Sequence, residues 1–302
     1  MSDSTHVPVL QNDVLRYLQP RSGQVLVDGT LGGGGHTRLL AELVAPDGFV
    51  LGLDRDPRAL AAAEQALAGR PVKIAHANFC DLPELIGDLG LSAVDGVVLD
   101  LGLSSDQLAD GTRGFSFDAS GPLDLRFDPT QGEPAWRLLE RLREKPLADL
   151  IYQYGEERFS RRIARKIVEV RRIQPIRTAE QLARLVRSCV PRSHGHGIDP
   201  ATRTFQAIRI AVNDELGSLQ RALQHIPDCL RPGGRFVVIS FHSLEDRLVK
   251  EAFRDDPRLQ ILCKKPVRAS QQELAENPRS RSAKLRAAAR LAPSAARSGC
   301  FD

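Results

Sequence analysis

The chain has 302 residues, 42% of them hydrophobic, enough for one large domain carrying an insertion or for two modest ones, and too apolar for a disordered chain. Forty-two Lys and Arg against 38 Asp and Glu leave a formal charge of +4, too mild to name a partner before the basic residues are located. The five cysteines, Cys80, Cys189, Cys229, Cys263 and Cys300, lack disulfide-framework or metal-ligand spacing, and no run reaches the roughly 18–20 apolar residues of a membrane span, so a cytoplasmic protein with no metal and no membrane partner is expected.

From residue 24 to residue 101 short apolar runs alternate with helical patterns, the grammar of βαβ units. Strands are predicted at 24–27, 49–53, 72–77 and 94–99. Three of them run into a carboxylate, at Asp28, Asp54 and Asp100. A helix is expected over 36–44, and another from Asp56-Pro57, where Asp suits the cap and Pro the first helical position. The pattern breaks between about 108 and 202: a stretch rich in Gly, Phe, Pro and Arg at 110–128 reads as an ordered loop, and helices follow at 134–143, 159–172 and 179–189. One long helix is expected over 204–223, then a turn at Pro232-Gly233-Gly234, a fifth strand at 235–240, a helix at 244–253 and an antiparallel pair at 259–263 and 284–289. Residues 191–197 read as flexible and those beyond Leu291 as frayed.

In an open parallel sheet the ligand crevice lies beyond the carboxyl ends of the strands, so the three terminal carboxylates mark one place. Asp28 opens Asp-Gly-Thr-Leu-Gly-Gly-Gly-Gly-His, whose glycines allow close approach of backbone to a ligand. Asp54 is placed to accept the hydroxyls of a ribose. Four consecutive glycines, 32–35, are not the spaced fingerprint that holds a pyrophosphate at a helix N-terminus, which favours a methyl donor over a dinucleotide. Phe79, after the third strand, is placed to stack on adenine.

Residues 27–36 (VDGTLGGGGH), 54–56 (DRD), 95–107 (DGVVLDLGLSSDQ), 113–117 (RGFSF), 121–128 (GPLDLRFD), 200–216 (PATRTFQAIRIAVNDEL), 239–250 (ISFHSLEDRLVK) and 277–286 (NPRSRSAKLR), with 6–10 (HVPVL) and 154–158 (YGEER), give the chain its kinship. Spread over almost its full length, they resemble the ribosomal small-subunit cytosine-N4 methyltransferases, the MraW or RsmH family. The resemblance implies a Rossmann-like α/β methyltransferase sheet that binds S-adenosyl-L-methionine, formed by 1–107 and 203–302, with a mostly helical substrate-recognition insertion at 108–202. It implies donor contacts at Gly34, Gly35, His36, Asp54, Phe79, Asp100 and Gln107, and methylation of the N4 amine of a cytidine in 16S ribosomal RNA, the RNA or the small subunit being the partner. Asp199, Leu125 and Phe127 depart from the family's usual His and methionines.

For the chemistry, Asp100 is the first candidate to contact the amine, and His242 and Ser243, after the fifth strand, are the next. His242 could equally be a structural histidine at a helix start. Residues 151–187 carry ten basic against four acidic side chains and 264–290 eight against two, while 1–107 carry seven against fourteen. Positive charge is thus expected away from the donor site, as an RNA footprint. Gln206, Arg209 and Asn213 form a polar strip that would face the RNA. A donor-binding assembly factor, an amine methyltransferase acting on DNA or protein, and a homodimer are left open.

Overall fold

The computed structural model describes residues 8–117, 121–191 and 199–292; the expectations for His6, Val7, the 192–197 stretch and the frayed end lie outside these. The chain forms two compact units whose boundaries fall at Gly102/Leu103 and Gly217/Ser218, where the sequence suggests 107/108 and 202/203.

The first unit holds a seven-stranded sheet of β1 (Val25–Asp28), β2 (Phe49–Asp54), β3 (Val72–His76), β4 (Val94–Asp100), β5 (Leu230–Ser240), β6 (Leu259–Ile261) and β7 (Lys284–Arg290), in the order β3-β2-β1-β4-β5-β7-β6. The first five strands are parallel, and β7 runs antiparallel to both its neighbours. This is the Rossmann-like α/β sheet that the apolar runs announce. Strands β1 and β4 are buried on both faces, as a parallel sheet covered by helices requires, whereas β3, at the edge, is half exposed. The order reverses between β1 and β4, so the ligand crevice of such a sheet opens at their carboxyl ends. In β5 the Pro-Gly-Gly sequence is an irregularity inside the strand: pairing steps from Val94 with Leu230 to Gly96 with Arg235, and Gly233 takes φ 81°.

Helices α1 (Gln11–Leu18), α2 (Gly35–Val44), α3 (Pro57–Ala66) and α4 (Leu82–Asp88) precede the insertion. Helix α3 starts as expected, the Asp56 carboxylate accepting from the Arg58 N–H at 3.1 Å. The second unit contains α5 (Ser105–Ala109), α6 (Ala135–Arg141), α7 (Glu144–Gly155), α8 (Ser160–Arg171), α9 (Ala179–Cys189) and α10 (Thr202–Asn213). After it come α11 (Glu215–Cys229), α12 (Ser243–Asp255) and α13 (Gln271–Glu276). The single helix expected over 204–223 is therefore two, broken at Asp214, whose backbone is left-handed at φ 49°. Helix α10 belongs with the insertion because Phe205 and Ile208 pack into its core beside Ile151, Ile163, Leu182 and Leu147. Among the described residues no helix is long and apolar enough to cross a membrane.

The described residues of the 110–128 loop are held from within. Arg113 is buried and donates to the carbonyls of Arg126 and Phe127, at 2.7 and 2.8 Å. Asn213 ties the same loop to α10: its Oδ1 accepts from Phe127 N–H at 2.7 Å, and its amide donates to the Leu125 carbonyl at 2.7 Å. Of the polar strip of α10 Asn213 is buried, while Gln206, which donates to the Tyr154 carbonyl, and Arg209, in a two-pronged ion pair with Glu215, are half-buried. Asn213→Leu would strand the buried Leu125 carbonyl, at a cost of about 1–3 kcal/mol, and the half-buried Phe127 N–H. A melting transition lower by several degrees is expected, and one at the native temperature would show that the loop is held elsewhere.

Candidate active site

Two backbone N–H groups just beyond β1 are held by its neighbouring strands. Gly29 N–H donates to the Val98 carbonyl at 2.9 Å and Leu31 N–H to the Leu53 carbonyl at 2.8 Å, so the glycine-rich loop is stitched to β4 on one side and β2 on the other. Only glycine fits at 29, where a Cβ would come within 2.4 Å of Leu99 and 2.9 Å of Phe79. Gly34, at φ 77°, caps α2 in the left-handed region, which glycine adopts without steric cost.

The three strand-end carboxylates serve different ends. Asp28 is buried and turned inward: Oδ2 accepts from the Thr37 hydroxyl at 2.7 Å and Oδ1 from the Thr30 N–H at 3.1 Å. It shapes the loop from beneath, and burial pushes its pKa up against those hydrogen bonds. Asp54 braces the loop from β2, Oδ2 accepting from Gly32 N–H at 2.8 Å and Oδ1 from Asp56 N–H at 2.9 Å. Each of its oxygens retains a lone pair for a further donor. Asp100 has its N–H anchored on the Thr30 hydroxyl at 2.7 Å, while its buried Oδ1 has no hydrogen-bond partner.

His36, at the first turn of α2, is buried with Nε2 3.6 Å from Asp100 Oδ2, an ion-pair distance too long for a hydrogen bond. Burial draws the imidazole pKa down, but Asp100, with Asp28 and Glu273 adding to it, outweighs burial and leaves it above the ordinary value. Its Nε2 is likewise without a hydrogen-bond partner. Two buried polar atoms of opposite character, a carboxylate oxygen and an imidazole nitrogen, thus sit together at the carboxyl end of β4 awaiting partners. Phe79 begins a short 3-10 turn after β3, capped by Asn78, whose amide donates to Ser218 Oγ at 3.0 Å.

The structure brings Gly34, Gly35, His36, Asp54, Phe79 and Asp100 together in the first unit. Gln107 lies in the second, where its Oε1 accepts from Ser104 N–H in a capping box that starts α5. His242 is the N-cap of α12: Nδ1 accepts from Glu245 N–H at 3.4 Å, and Nε2 stands 3.0 Å from Glu245 Oε1 without the alignment of a hydrogen bond. The structural reading of this histidine is therefore the one its surroundings support. Ser243 is the first residue of the same helix. Helix α12 is fixed to β7 through Asp246, which accepts from Arg286 at 2.7 Å and Lys284 at 3.1 Å. Sequence reasoning passed over Thr30 and Thr37, although their position two and nine residues after Asp28 in a Gly-rich loop is where hydroxyls could organise strand-end acids.

The departures from the family pattern also find local roles. Asp199 holds Arg187 at 2.7 Å and accepts from Ala201 N–H at 2.8 Å, while Leu125 is buried with a left-handed backbone at φ 62°.

The chain matches the MraW methylase family over residues 3–291. Ribosomal RNA small subunit methyltransferase H of Rhodopirellula baltica is 50% identical to it over 301 residues, 96% of this chain and 93% of that one. The protein of the same description in Thermomicrobium roseum is 51% identical over 310 residues, covering 96% and 94%. Among solved structures, an rRNA methylase from Streptococcus thermophilus superposes with a TM-score of 0.44 at 11% identity, covering 93% of this chain and 94% of that one. With a matched family model spanning nearly its whole length and full-length relatives at half identity, the chain belongs to the MraW methylase family.

Proposed function

We propose that this methyltransferase transfers a methyl group from S-adenosyl-L-methionine to the N4 amine of a cytidine in 16S ribosomal RNA. The observation that carries the site assignment is the pair of unpartnered buried atoms, Asp100 Oδ1 and His36 Nε2, at the switch point of the sheet. A ligand with both an amine and a carboxylate, such as the methionine end of the donor, would satisfy them. Asp54 would take the ribose hydroxyls, Phe79 would pack on the adenine, and the backbone of Gly34, Gly35 and His36 would approach the donor where larger residues could not. The family resemblance adds Gln107 to the donor-binding residues. When bound, the donor supplies an electrophilic methyl group on a sulfonium.

What the chain must add is alignment. The exocyclic amine of cytosine is a weak nucleophile because its lone pair is delocalised into the ring. A carboxylate accepting one of its N–H bonds localises that pair and orients it. Asp100 is the group placed for this, with Ser243 next. His242 supports the site by capping α12. No covalent enzyme intermediate is required.

The insertion would recognise RNA. Arg158, just before α8, and Arg161 and Arg162 on it are exposed and have no ion-pair partner among the described residues, while Arg165 and Lys166 make only exposed contacts with Glu144 at 3.5 Å and Glu169 at 3.8 Å. Replacing Arg161, Arg162, Arg165 and Lys166 with Gln is expected to weaken RNA binding and to flatten its salt dependence by roughly 0.7 for each phosphate left without its cation, with donor affinity level. An unaltered salt slope would make this a solvated helix face.

The deciding experiment for the activity is mass mapping of methylated nucleotides in 16S ribosomal RNA from cells with and without the gene, alongside methyl transfer to RNA, DNA and protein in vitro. Loss of one N4-methylcytidine, restored by the purified chain, is expected. Donor binding without transfer to any ribosomal substrate would favour an assembly factor.

A further inference from the structure

The basic segment that follows β6 is built as a strap. Val267 exchanges two backbone hydrogen bonds with Leu285 of β7, each 2.9 Å. Glu273, in α13, accepts from the Leu10 N–H at 2.6 Å. Beyond α13, Asn277, Ser280 and Ala283 are buried, and Ser280 donates to the Asn277 carbonyl at 2.7 Å. Residues 263–283 are thus pinned along their length by buried or hydrogen-bonded positions rather than hanging from the domain.

Through Glu273 the strap is tied to the N-terminal segment that packs on the donor loop. Leu10 belongs to the N-terminal segment whose Pro8 packs on Gly35, where a Cβ would come within 2.8 Å of the proline ring. Glu273 is close enough to His36 to act on its charge. At its far end the strap enters β7, whose Lys284 and Arg286 hold Asp246 of α12, the helix that His242 caps. It therefore runs from the glycine-loop side of the site to the α12 side, all within the first unit.

Of the eight cations over 264–290, Arg279 is half-buried and engaged, and the other seven fall into two groups. Lys284 and Arg286 are consumed by Asp246, and Arg290 by Asp228 at 3.1 Å. Lys264, Lys265, Arg268 and Arg281 are exposed and have no ion-pair partner among the described residues. Elsewhere on this unit acidic neighbours neutralise cations, as Glu42 does the half-buried Arg70 and Asp95 does the exposed Arg231. A segment that keeps four exposed cations uncompensated has the chemistry to bind phosphates.

We propose that Lys264, Lys265, Arg268 and Arg281 bind backbone phosphates of single-stranded ribosomal RNA flanking the target cytidine, so that the donor-binding unit holds RNA itself. This rests on the RNA-methylating function proposed above and adds a second contact surface to that of α8. A base that leaves its stack for the active site needs its flanking phosphates held near that site. The strap supplies such a hold without base-specific groups.

The test uses the full chain with all four residues replaced by Gln and, as probes, a single-stranded RNA oligonucleotide from 16S ribosomal RNA and intact small subunits. The variant is expected to bind the oligonucleotide at least about tenfold more weakly near 0.1 M salt, with a salt slope shallower by roughly 2 to 3. KM for RNA should rise while kcat at saturating RNA and donor affinity hold. A charge-preserving variant, with the lysines changed to Arg and the arginines to Lys, should retain affinity, which separates lost charge from lost folding. An unchanged slope and KM in the folded Gln variant would overturn the proposal. So would weakened binding to subunits with unchanged binding to the oligonucleotide, because the surface would then serve a ribosomal protein. If the native chain shows the strap-dependent slope yet methylates no cytidine, the functional reading fails and the strap stands.

Discussion

Asp100→Asn is expected to lower the single-turnover rate of methyl transfer by about 10²–10³-fold at saturating donor and RNA, the decrease typical when a preorganised polar group is removed. The substitution keeps the size of the side chain and leaves the anchoring bond from its own N–H to Thr30 intact, so the end of β4 should not move. It removes the charge that faces His36 and replaces one acceptor oxygen with an amide donor, which opposes an amine that itself donates. Donor affinity is expected to fall as well, since the unpartnered Oδ1 is also the natural acceptor for the donor's amine. The rate must therefore be read after donor saturation. A near-normal rate under those conditions would remove Asp100 from the chemistry and leave Ser243 as the candidate, His242 being engaged at the cap of α12.

What the sequence disclosed about this site was its address. Apolar runs ending in Asp28, Asp54 and Asp100 put three carboxylates at strand ends, and each is there. Which of them faces a ligand was not legible, because that depends on side-chain partners from other strands and loops. Asp28 is spent on Thr30 and Thr37, while Asp100 keeps an oxygen free. His242 shows the same limit in reverse: a histidine after a strand reads equally as base or cap, and only the position of Glu245 decides for the cap.

Fold elements divide along similar lines. Strands buried on both faces were legible because a continuous apolar run needs no partner to be recognised. The helix break at Asp214 was hidden because the apolar stripe of α10 continues through Leu219 and Leu223 of α11 with helical spacing, while the interruption is a single left-handed residue of a type that tolerates that conformation. Helices α1, α4, α5 and α13 went unread for a different reason: at five to eight residues each offers at most two buried positions, too few to establish a period. Helix α7 is the instructive omission, since Leu147, Ile151 and Gly155 recur at intervals of four and Gly155 packs against the Arg203 backbone, where any side chain would collide. The strap was visible as charge but not as a neighbour of the N-terminal segment, because that contact, Leu10 with Glu273, joins residues 263 positions apart.

Asp54→Ala is expected to weaken S-adenosyl-L-methionine binding by about tenfold to a hundredfold for each ribose hydrogen bond removed, charge-assisted bonds of this kind being worth roughly 1.5–3 kcal/mol. The carboxylate has a second duty, since Gly32 N–H and Asp56 N–H both rest on it. Part of the decrease will therefore come from a loosened glycine loop. Asp54→Asn separates the two: it keeps an acceptor for one of the backbone donors but no charge for the ribose, so its melting temperature should lie nearer to native than that of Asp54→Ala while its donor affinity remains low. The pH dependence supplies an independent check. Burial pushes the Asp54 pKa above the ordinary carboxylate value, against the pull of the two backbone N–H groups. The ionised form is the one that accepts both hydroxyls, so native affinity should decline as pH falls through that raised pKa, beginning at a higher pH than for an unperturbed aspartate near ~3.9. Calorimetric titrations across acidic pH should show this decline in the native chain and a flatter profile in Asp54→Ala. Unchanged affinity in a folded Asp54→Ala variant would exclude the residue from the donor site and assign it wholly to bracing the loop.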